Sequence, residues 1–152
     1  MSDAQQPVFN IEKLYVKDLS VEVPNAPAIF MEREAPQIDV NMSTESRAMG
    51  NDAYHSSITV TITAKIADKT MFLIECTQGG IFRIQNVPQD QLPMVLGIGC
   101  PNIVFPYLRE TVSDVVIRAG FPPLLLNPVN FEALFAQQQA AQQQQAVPAQ
   151  TH

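Results

Sequence analysis

The chain has no tryptophan, only two cysteines and two histidines, and few charged residues. Charged residues make up 16% of its 152 residues, against about 25% in an average soluble domain. Hydrophobic residues make up 46%, so the chain can bury a core and does not have the composition of a disordered protein. The shortage of charge predicts that another copy of the chain, or another molecule, covers part of the surface.

Basic residues are also scarce, and the sequence contains no basic stripe. Nine Lys and Arg residues stand against fifteen Asp and Glu, which gives a net charge of −6. Nucleic-acid binding depends on neutralising phosphates, so this balance argues against a nucleic-acid partner. The same sign of charge disfavours anionic membrane surfaces. A basic protein partner remains compatible with the composition.

Targeting and membrane-spanning segments are missing from the pattern. The N-terminus lacks a basic segment followed by an apolar core, so no signal peptide is predicted. The longest apolar stretches fall far short of the ~20 residues needed to span a bilayer. We therefore expect a cytoplasmic protein that does not insert into membranes. In that compartment Cys76 and Cys100 are expected to remain free thiols.

The sequence offers no catalytic or metal-binding arrangement. A nucleophilic site needs Ser or Cys close to His, but the only histidines are His55 and the C-terminal His152. Two cysteines and two histidines without close spacing do not make a zinc site. The glycines at 79–80 and 97–99 lack the rest of a phosphate-binding motif. We expect no enzyme activity, no cofactor and no bound metal.

Alternating apolar and polar residues predict four strands in the first two-thirds of the chain. The alternation covers residues 17–23, 37–43, 54–66 and 71–83, and it is typical of half-buried strands. Short or looping connections between the segments predict a single antiparallel meander. The Gly79-Gly80 pair predicts a bulge or bend in the fourth strand.

Helices are predicted after the strands. Residues 88–99 favour a short helix, and residues 106–119 show helical spacing, with Pro106 in the first turn and Gly120 just past the end. A last helix is expected to begin at Asn127 or Asn130 as its N-cap. Strands followed by helices predict an α+β fold.

The domain organisation follows from these patterns and from the composition of the two ends. We expect a flexible N-terminus over residues 1–8 and a single domain over residues 9–136. Seven of the nine residues from 137 to 145 are glutamine, so residues 137–152 are predicted to form a solvated, disordered tail.

Two groups of residues are candidates for a binding surface. Asp18, Ser20 and Glu22 share one side of the first strand, and Leu73 and Glu75 could extend that row on another strand. This row is either an ordinary solvated sheet face or an acidic docking patch for a basic partner.

Apolar residues near the end of the domain are open to a similar choice. Phe131, Leu134 and Phe135 have helical spacing, and they either belong to the core or line a hydrophobic groove.

Four blocks of sequence, in the expected order, resemble the SecB family of bacterial protein-export chaperones. The resemblance covers nearly all of residues 9–135. The blocks are YVKDLSVEVPNAP at 15–27, QGGIF at 78–82, CPNIVFPY at 100–107 followed by Arg109-Glu110, and PVNF at 128–131.

The resemblance implies a SecB-like fold, a four-stranded antiparallel sheet with helices, assembled as a homotetramer that is a dimer of dimers. Its long helix, here 106–119, would lie between two sheets of the tetramer. Proteins of this family are ATP-independent chaperones without catalytic activity. They bind unfolded preproteins in the cytoplasm, keep them competent for translocation and deliver them to the motor ATPase SecA.

The resemblance also assigns roles to particular positions. The acidic face that docks the basic, zinc-binding C-terminal tail of SecA would consist of Asp18, Ser20, Glu22, Leu73 and Glu75, and the zinc belongs to SecA. Client binding would use apolar grooves at Phe30, Ile38, Val40, Met42, Phe131 and Leu134. Family members often carry a tryptophan in the crossover loop, where this chain has Glu34.

Two other interpretations remain open at this point. A chaperone outside export, such as one serving a toxin–antitoxin pair, could use the same fold, although an intact SecA-docking face disfavours it. A small ligand-binding or enzymatic α+β protein would need a closed polar pocket, which the sequence does not indicate.

Overall fold

A computed structural model describes residues 5–146 of the chain. In these residues an antiparallel sheet is followed by helices, which confirms the predicted α+β fold class. The strands are β1 (Val8–Glu22), β2 (Gln37–Gly50), β3 (Ala53–Ile66) and β4 (Lys69–Gln85), and the helices are α1 (Leu92–Met94), α2 (Cys100–Arg118) and α3 (Phe131–Ala146).

The strand order in the sheet is β1-β4-β3-β2, so the predicted meander is wrong for β1. Two-residue connections join β2 to β3 and β3 to β4, and Asn51, Asp52 and Ala67 take positive φ in them. The long connection after β1 contains a 3₁₀ turn, Ala28–Met31, and carries the chain to the far edge. The hairpin-linked strands β2, β3 and β4, together with β1 beside β4, form a Greek key.

The first strand begins earlier than predicted. β1 starts at Val8, whose backbone pairs with Gln85, so the strand reaches one residue into the segment 1–8 expected to be flexible. Residues 1–4 lie outside the described part of the chain. Register shifts between Ile11 and Lys13 and between Val16 and Asp18 interrupt the pairing of β1 with β4.

The sheet has one face packed under α2 and one face open. We call them the helix-side face and the open face. α2 packs on β3 and β4, where Ile58, Val60, Ile62, Ile74 and Phe82 are buried on the helix-side face. From α2 itself Val104, Leu108, Val112 and Val116 complete this core. α2 covers the edge strands β1 and β2 less than it covers the central strands β3 and β4. The helix-side faces of the edge strands are therefore partly exposed, and the candidate sites lie there and on the open face.

The long helix begins before the predicted start. A π-helical turn, Val95–Gly99, joins α1 directly to α2, and Pro101 takes the first-turn position expected for Pro106, which lies inside the helix. The predicted end is confirmed. Gly120 has φ +97°, its N–H donates to Ile117 O at 3.0 Å, and Phe121 N–H donates to Val116 O at 3.2 Å, as in a Schellman motif.

The last helix starts at Phe131 with Asn130 as its N-cap. Asn130 Oδ1 accepts a hydrogen bond from Ala133 N–H at 3.0 Å, which selects Asn130 over Asn127. α3 continues to Ala146, so residues 137–146 are helical and differ from the disorder predicted for 137–152. Glutamine and alanine are good helix formers, and no proline follows until Pro148. Residues 147–152 lie outside the described residues.

Candidate functional site

All five residues of the predicted acidic row lie together on the open face. Cross-strand pairing sets Asp18 opposite Thr77, Ser20 opposite Glu75, and Glu22 opposite Leu73. Residues opposite each other in an antiparallel pair point to the same face. The structure therefore brings Asp18, Ser20, Glu22, Leu73 and Glu75 into one continuous patch, which we call the acidic patch.

The acidic patch extends across the sheet to a carboxylate that the sequence did not indicate. Leu73 is opposite Thr63 of β3, and Thr63 is opposite Asp39 of β2. Alternation within one strand does not reveal the order of the strands, so it could not predict Asp39. The pairing of four strands is needed to see the row formed by Glu22, Leu73, Thr63 and Asp39. Among the ion pairs of the described residues, none involves the carboxylates of the patch. Their charges are free to attract a basic segment.

The other end of the open face carries a tyrosine–histidine pair. The Tyr15 hydroxyl and His55 Nε2 are hydrogen-bonded at 2.6 Å, and the two rings meet over Gly79, where a Cβ would lie 2.8 Å from the Tyr15 ring and 3.0 Å from His55 Nε2. Burial lowers the pKa of His55, and the nearby charges of Arg47 and Lys17 lower it further. His55 is therefore a neutral, structural residue at pH 7, without a catalytic neighbourhood.

Three of the predicted client-binding residues form an apolar row on β2. Ile38 is opposite Ala64, Val40 opposite Ile62 and Met42 opposite Val60, so all three point to the helix-side face. α2 packs on β3 and β4 but not over this edge, which leaves Ile38 42% and Val40 44% exposed, while Met42 is half-buried against the core. We call Ile38, Val40 and Met42 the β2 row.

Phe30 lies at the same end of the sheet as Ile38. Its ring stacks on Phe121 with 5.0 Å between centroids, and Phe121 in turn contacts Phe72 at 5.3 Å. Phe72 is opposite Ala64, the cross-strand neighbour of Ile38. The exposed ring of Phe30 thus continues the apolar surface of the β2 row through the crossover connection.

The two α3 residues predicted to bind clients are less accessible. Phe131 is only 3% exposed, and its ring meets Phe105 edge-on at 5.9 Å. Leu134 is half-buried and packs against the core. Phe131 is thus buried within this chain, where its ring packs against Phe105 at the start of α3, and its assignment to client binding stays a prediction. Helical spacing alone cannot distinguish an anchoring residue from one that faces a groove.

Phe135 both packs against the backbone of its own chain and lines a cleft. A Cβ on Gly97 would lie 2.5 Å from the Phe135 ring, so the ring rests directly on the backbone of the π-helical turn. Phe135 also lines a cleft of about 470 Å³ between α3, the π-helical turn and β2. The apolar part of this cleft comes from Leu92, Leu96, Pro101 and Phe135, and its rim includes Gln138, Gln139 and Gln142.

The described part of the chain contains neither a reactive cysteine nor a group of residues that could bind a metal ion. Cys76 and Cys100 are free and buried, as predicted for their pairing state. Burial raises the pKa of Cys76 to about 11 and that of Cys100 to about 12, so both remain protonated thiols. No three His, Cys, Asp or Glu side chains in the described residues converge on a possible metal position, and no described helix is long and apolar enough to cross a bilayer.

Comparison with known proteins gives one consistent result. A family model described as preprotein translocase subunit SecB matches residues 2–143. The protein-export protein SecB of Thiobacillus denitrificans is 87% identical over the full length of both chains. That of Methylobacillus flagellatus is 61% identical, covering 91% of this chain and 88% of the relative.

A solved structure supports the fold independently. The SecB-like chaperone of Mycobacterium tuberculosis, determined in complex with a ChAD peptide from the HigA1 antitoxin, superposes with a TM-score of 0.65. The match covers 80% of this chain and 91% of that one at 18% identity, so the likeness concerns the fold. Together with the sequence matches, it leads to one conclusion: the chain belongs to the SecB family of protein-export chaperones.

Proposed function

We propose that this protein binds unfolded preproteins in the cytoplasm without using ATP, keeps them competent for translocation and delivers them to SecA. The observation that carries this proposal is the β2 row. Its apolar side chains point to the helix-side face of an edge strand, yet the chain's own helix leaves two of them more than two-fifths exposed. Large contiguous apolar patches that stay exposed on a folded protein mark interaction sites.

The β2 row suits a partner that exposes apolar segments and unpaired backbone. Burying apolar surface on it contributes about 25 cal/mol per Å². Since β2 is at the edge of the sheet, its outer backbone groups are available to pair with an extended segment of the client. Phe30, near the start of the strand, and the Phe135 cleft, beside residues 44–46, supply further apolar contacts. Each contact is weak, so holding depends on several being made at once.

A homotetramer, arranged as a dimer of dimers, supplies that multiplicity. On β1, the side chains of Val16, Leu19 and Val21 point to the helix-side face and are exposed, and so are Tyr107 and Ile117 on α2. A second copy of the chain would cover these surfaces, which also accounts for the low charge content. Several β2 rows on one assembly raise the effective concentration of the next client segment at each site.

The acidic patch is the proposed docking site for SecA. Its carboxylates are unpaired within the described residues, and it occupies the open face, opposite to the face that holds the β2 row. A basic tail would be attracted by complementary charge. Because the two surfaces lie on different faces of the sheet, the protein can hold a client and dock SecA at the same time. Delivery then needs no catalytic residue.

Dilution of an unfolded, slow-folding preprotein into the purified protein, without nucleotide, tests the proposal. We expect recovery of the client's native signal to stop at about one tetramer per client, and to resume or give way to translocation when SecA and membranes are added. Arrest without any response to SecA would favour a chaperone outside export. Unhindered refolding would contradict client holding altogether and return attention to a ligand-binding role.

A further inference from the structure

Methionine thioethers, and not cysteine thiols, are the oxidisable sulfur atoms that this fold presents to solvent. In the described residues Met31 is 79% exposed, Met94 53% and Met49 48%, whereas Cys76 and Cys100 are completely buried. Thiol oxidation proceeds through the thiolate, and burial raises the pKa of both thiols far above neutrality. An oxidant in solution therefore meets methionine first.

Two of these three methionines lie next to residues that are proposed to contact clients, Phe30 and Phe135. Met31 follows Phe30 at the end of the 3₁₀ turn. Met94 lines an apolar cleft of about 650 Å³ beside Val95, Ile98 and Phe135. Met49 is different, because it lies at the end of β2 next to the turn into β3 and lines neither of the two clefts that Phe135 lines. The chain thus contains its own internal reference for methionine oxidation.

We propose that Met31 and Met94 are sites of reversible oxidation by hydrogen peroxide, and that their sulfoxides weaken client holding. This inference rests on the proposed function. A sulfur lone pair attacks one peroxide oxygen, an S–O bond forms as the O–O bond breaks, and the departing hydroxide takes up a proton as water. The thioether loses two electrons and the peroxide gains them. A thiol-dependent sulfoxide reductase reverses the step, releasing the oxygen as water while its own thiols form a disulfide.

The sulfoxide changes the client surface because it replaces a flexible apolar group with a polar one. A client side chain that packs on Met94 would then have to bury an S=O oxygen without a hydrogen-bond donor, which opposes binding. Polarity at Met31 would act in the same way beside the exposed ring of Phe30. Sulfoxide formation at Met49 adds the same oxygen where no client contact is proposed.

Peroxide treatment of the full chain, followed by peptide mass mapping and the refolding-arrest assay, tests this inference. We expect Met31, Met94 and Met49 to gain oxygen before the half-buried Met42 and Met71. The amount of protein needed to arrest the client should rise about tenfold as Met31 and Met94 become oxidised. Incubation with a methionine sulfoxide reductase should restore arrest.

The matched variants are Met31→Leu with Met94→Leu, and Met49→Leu. Leucine keeps apolar volume without an oxidisable sulfur, so the double variant should hold clients before and after peroxide, while Met49→Leu should lose holding like the wild type. Equal arrest by untreated and oxidised wild-type protein would overturn the inference. So would equal peroxide sensitivity of the double variant. Failure of the untreated protein to arrest any client would instead reject the proposed function.

Discussion

At the scale of single residues, the burial of His55 makes the free energy of unfolding depend on pH. Its pKa in the folded protein is lowered, chiefly by burial and then by Arg47 and Lys17, whereas in the unfolded chain it returns to its ordinary value. As pH falls through that ordinary value, the unfolded chain takes up a proton that the folded protein resists. The free energy of unfolding must therefore decrease with falling pH over this range.

We expect wild-type protein to lose stability between about pH 7 and pH 5, and His55→Gln to lose less over the same range because it cannot be protonated. Chemical denaturation at a series of pH values measures both slopes. Parallel curves for the two proteins would show that His55 does not contribute to the pH dependence.

Gly79 is the second residue whose role is local and testable. The Tyr15 and His55 side chains occupy the space where its Cβ would be. Gly79→Ala should lower the free energy of unfolding by about 1–3 kcal/mol, because one of the two rings must move. In a Tyr15→Ala background the same substitution should cost less, since the nearest ring atoms are gone. Equal costs in the two backgrounds would contradict a steric origin.

At the scale of secondary-structure elements, the two faces of β2 belong to different surfaces: the β2 row points to the helix-side face and Asp39 to the open face. Val40→Asp with Met42→Asp should weaken client holding about tenfold or more, since each loses an apolar contact worth about 1.5–3 kcal/mol when fully buried. Asn41→Asp with Ser43→Asp is the matched control, because it adds the same charge to the opposite face of the same strand. Refolding-arrest titrations compare the two. Similar losses in both folded variants would reject a role for the β2 row.

The helix α3 depends on one aromatic contact beyond its anchored first turn. Phe135→Ala removes the ring that rests on Gly97, and the remaining glutamine-rich turns then have few contacts to hold them. Short isolated helices are marginal in water, so we expect faster amide exchange and proteolysis over residues 137–146. Gln137→Ala should behave like wild type. Unchanged protection in Phe135→Ala would show that α3 is held by other contacts.

Whether an element could be predicted from the sequence depended on how regular its alternation was. β3 was predicted at residues 54–66 and is observed at Ala53–Ile66, because its apolar side chains never leave one face. In β1 two register shifts change which positions face the helix, from Phe9 and Ile11 to Leu14 and Val16, and then to Leu19 and Val21. This resetting hid the first half of the strand.

The acidic patch could be predicted where alternation within one strand or the family resemblance placed a residue, and not where only the pairing of strands did. Asp18, Ser20 and Glu22 were identified by alternation and family resemblance, and the sheet confirms that they share a face. Asp39 joins the same row only through β3 and β4, so pairing information was required. The contact of the Phe135 ring with Gly97 depends on the close approach of α3 to the π-helical turn, which helical spacing alone does not predict.

At the scale of the whole molecule, the acidic patch and the β2 row lie on opposite faces of the sheet, so the proposed docking and holding roles can be tested separately. Asp18→Ala with Glu75→Lys should weaken SecA binding about three- to tenfold at low salt, and the difference from wild type should shrink at high salt, where charges are screened. Client holding should be unaffected. Titration calorimetry or surface-based binding at two salt concentrations measures the effect.

Asp68→Ala with Glu34→Lys is the control for that experiment, because it changes the net charge equally at exposed positions outside the acidic patch. If the control weakens SecA binding as much as Asp18→Ala with Glu75→Lys, net charge alone is responsible. Unchanged affinity of the patch variant at low salt would remove the docking assignment.

The Greek-key order also governs how this protein is made. During synthesis β1 emerges first, but its only strand partner in the described structure, β4, begins at Lys69. Until then the nascent chain carries a 15-residue strand without its pairing partner, while β2 and β3 can already pair through their two-residue turn. Contacts between distant segments form slowly, and unpaired strands are prone to aggregate. Every newly made copy therefore passes through a stage in which, like an unfolded preprotein, it exposes apolar side chains and an unpaired strand.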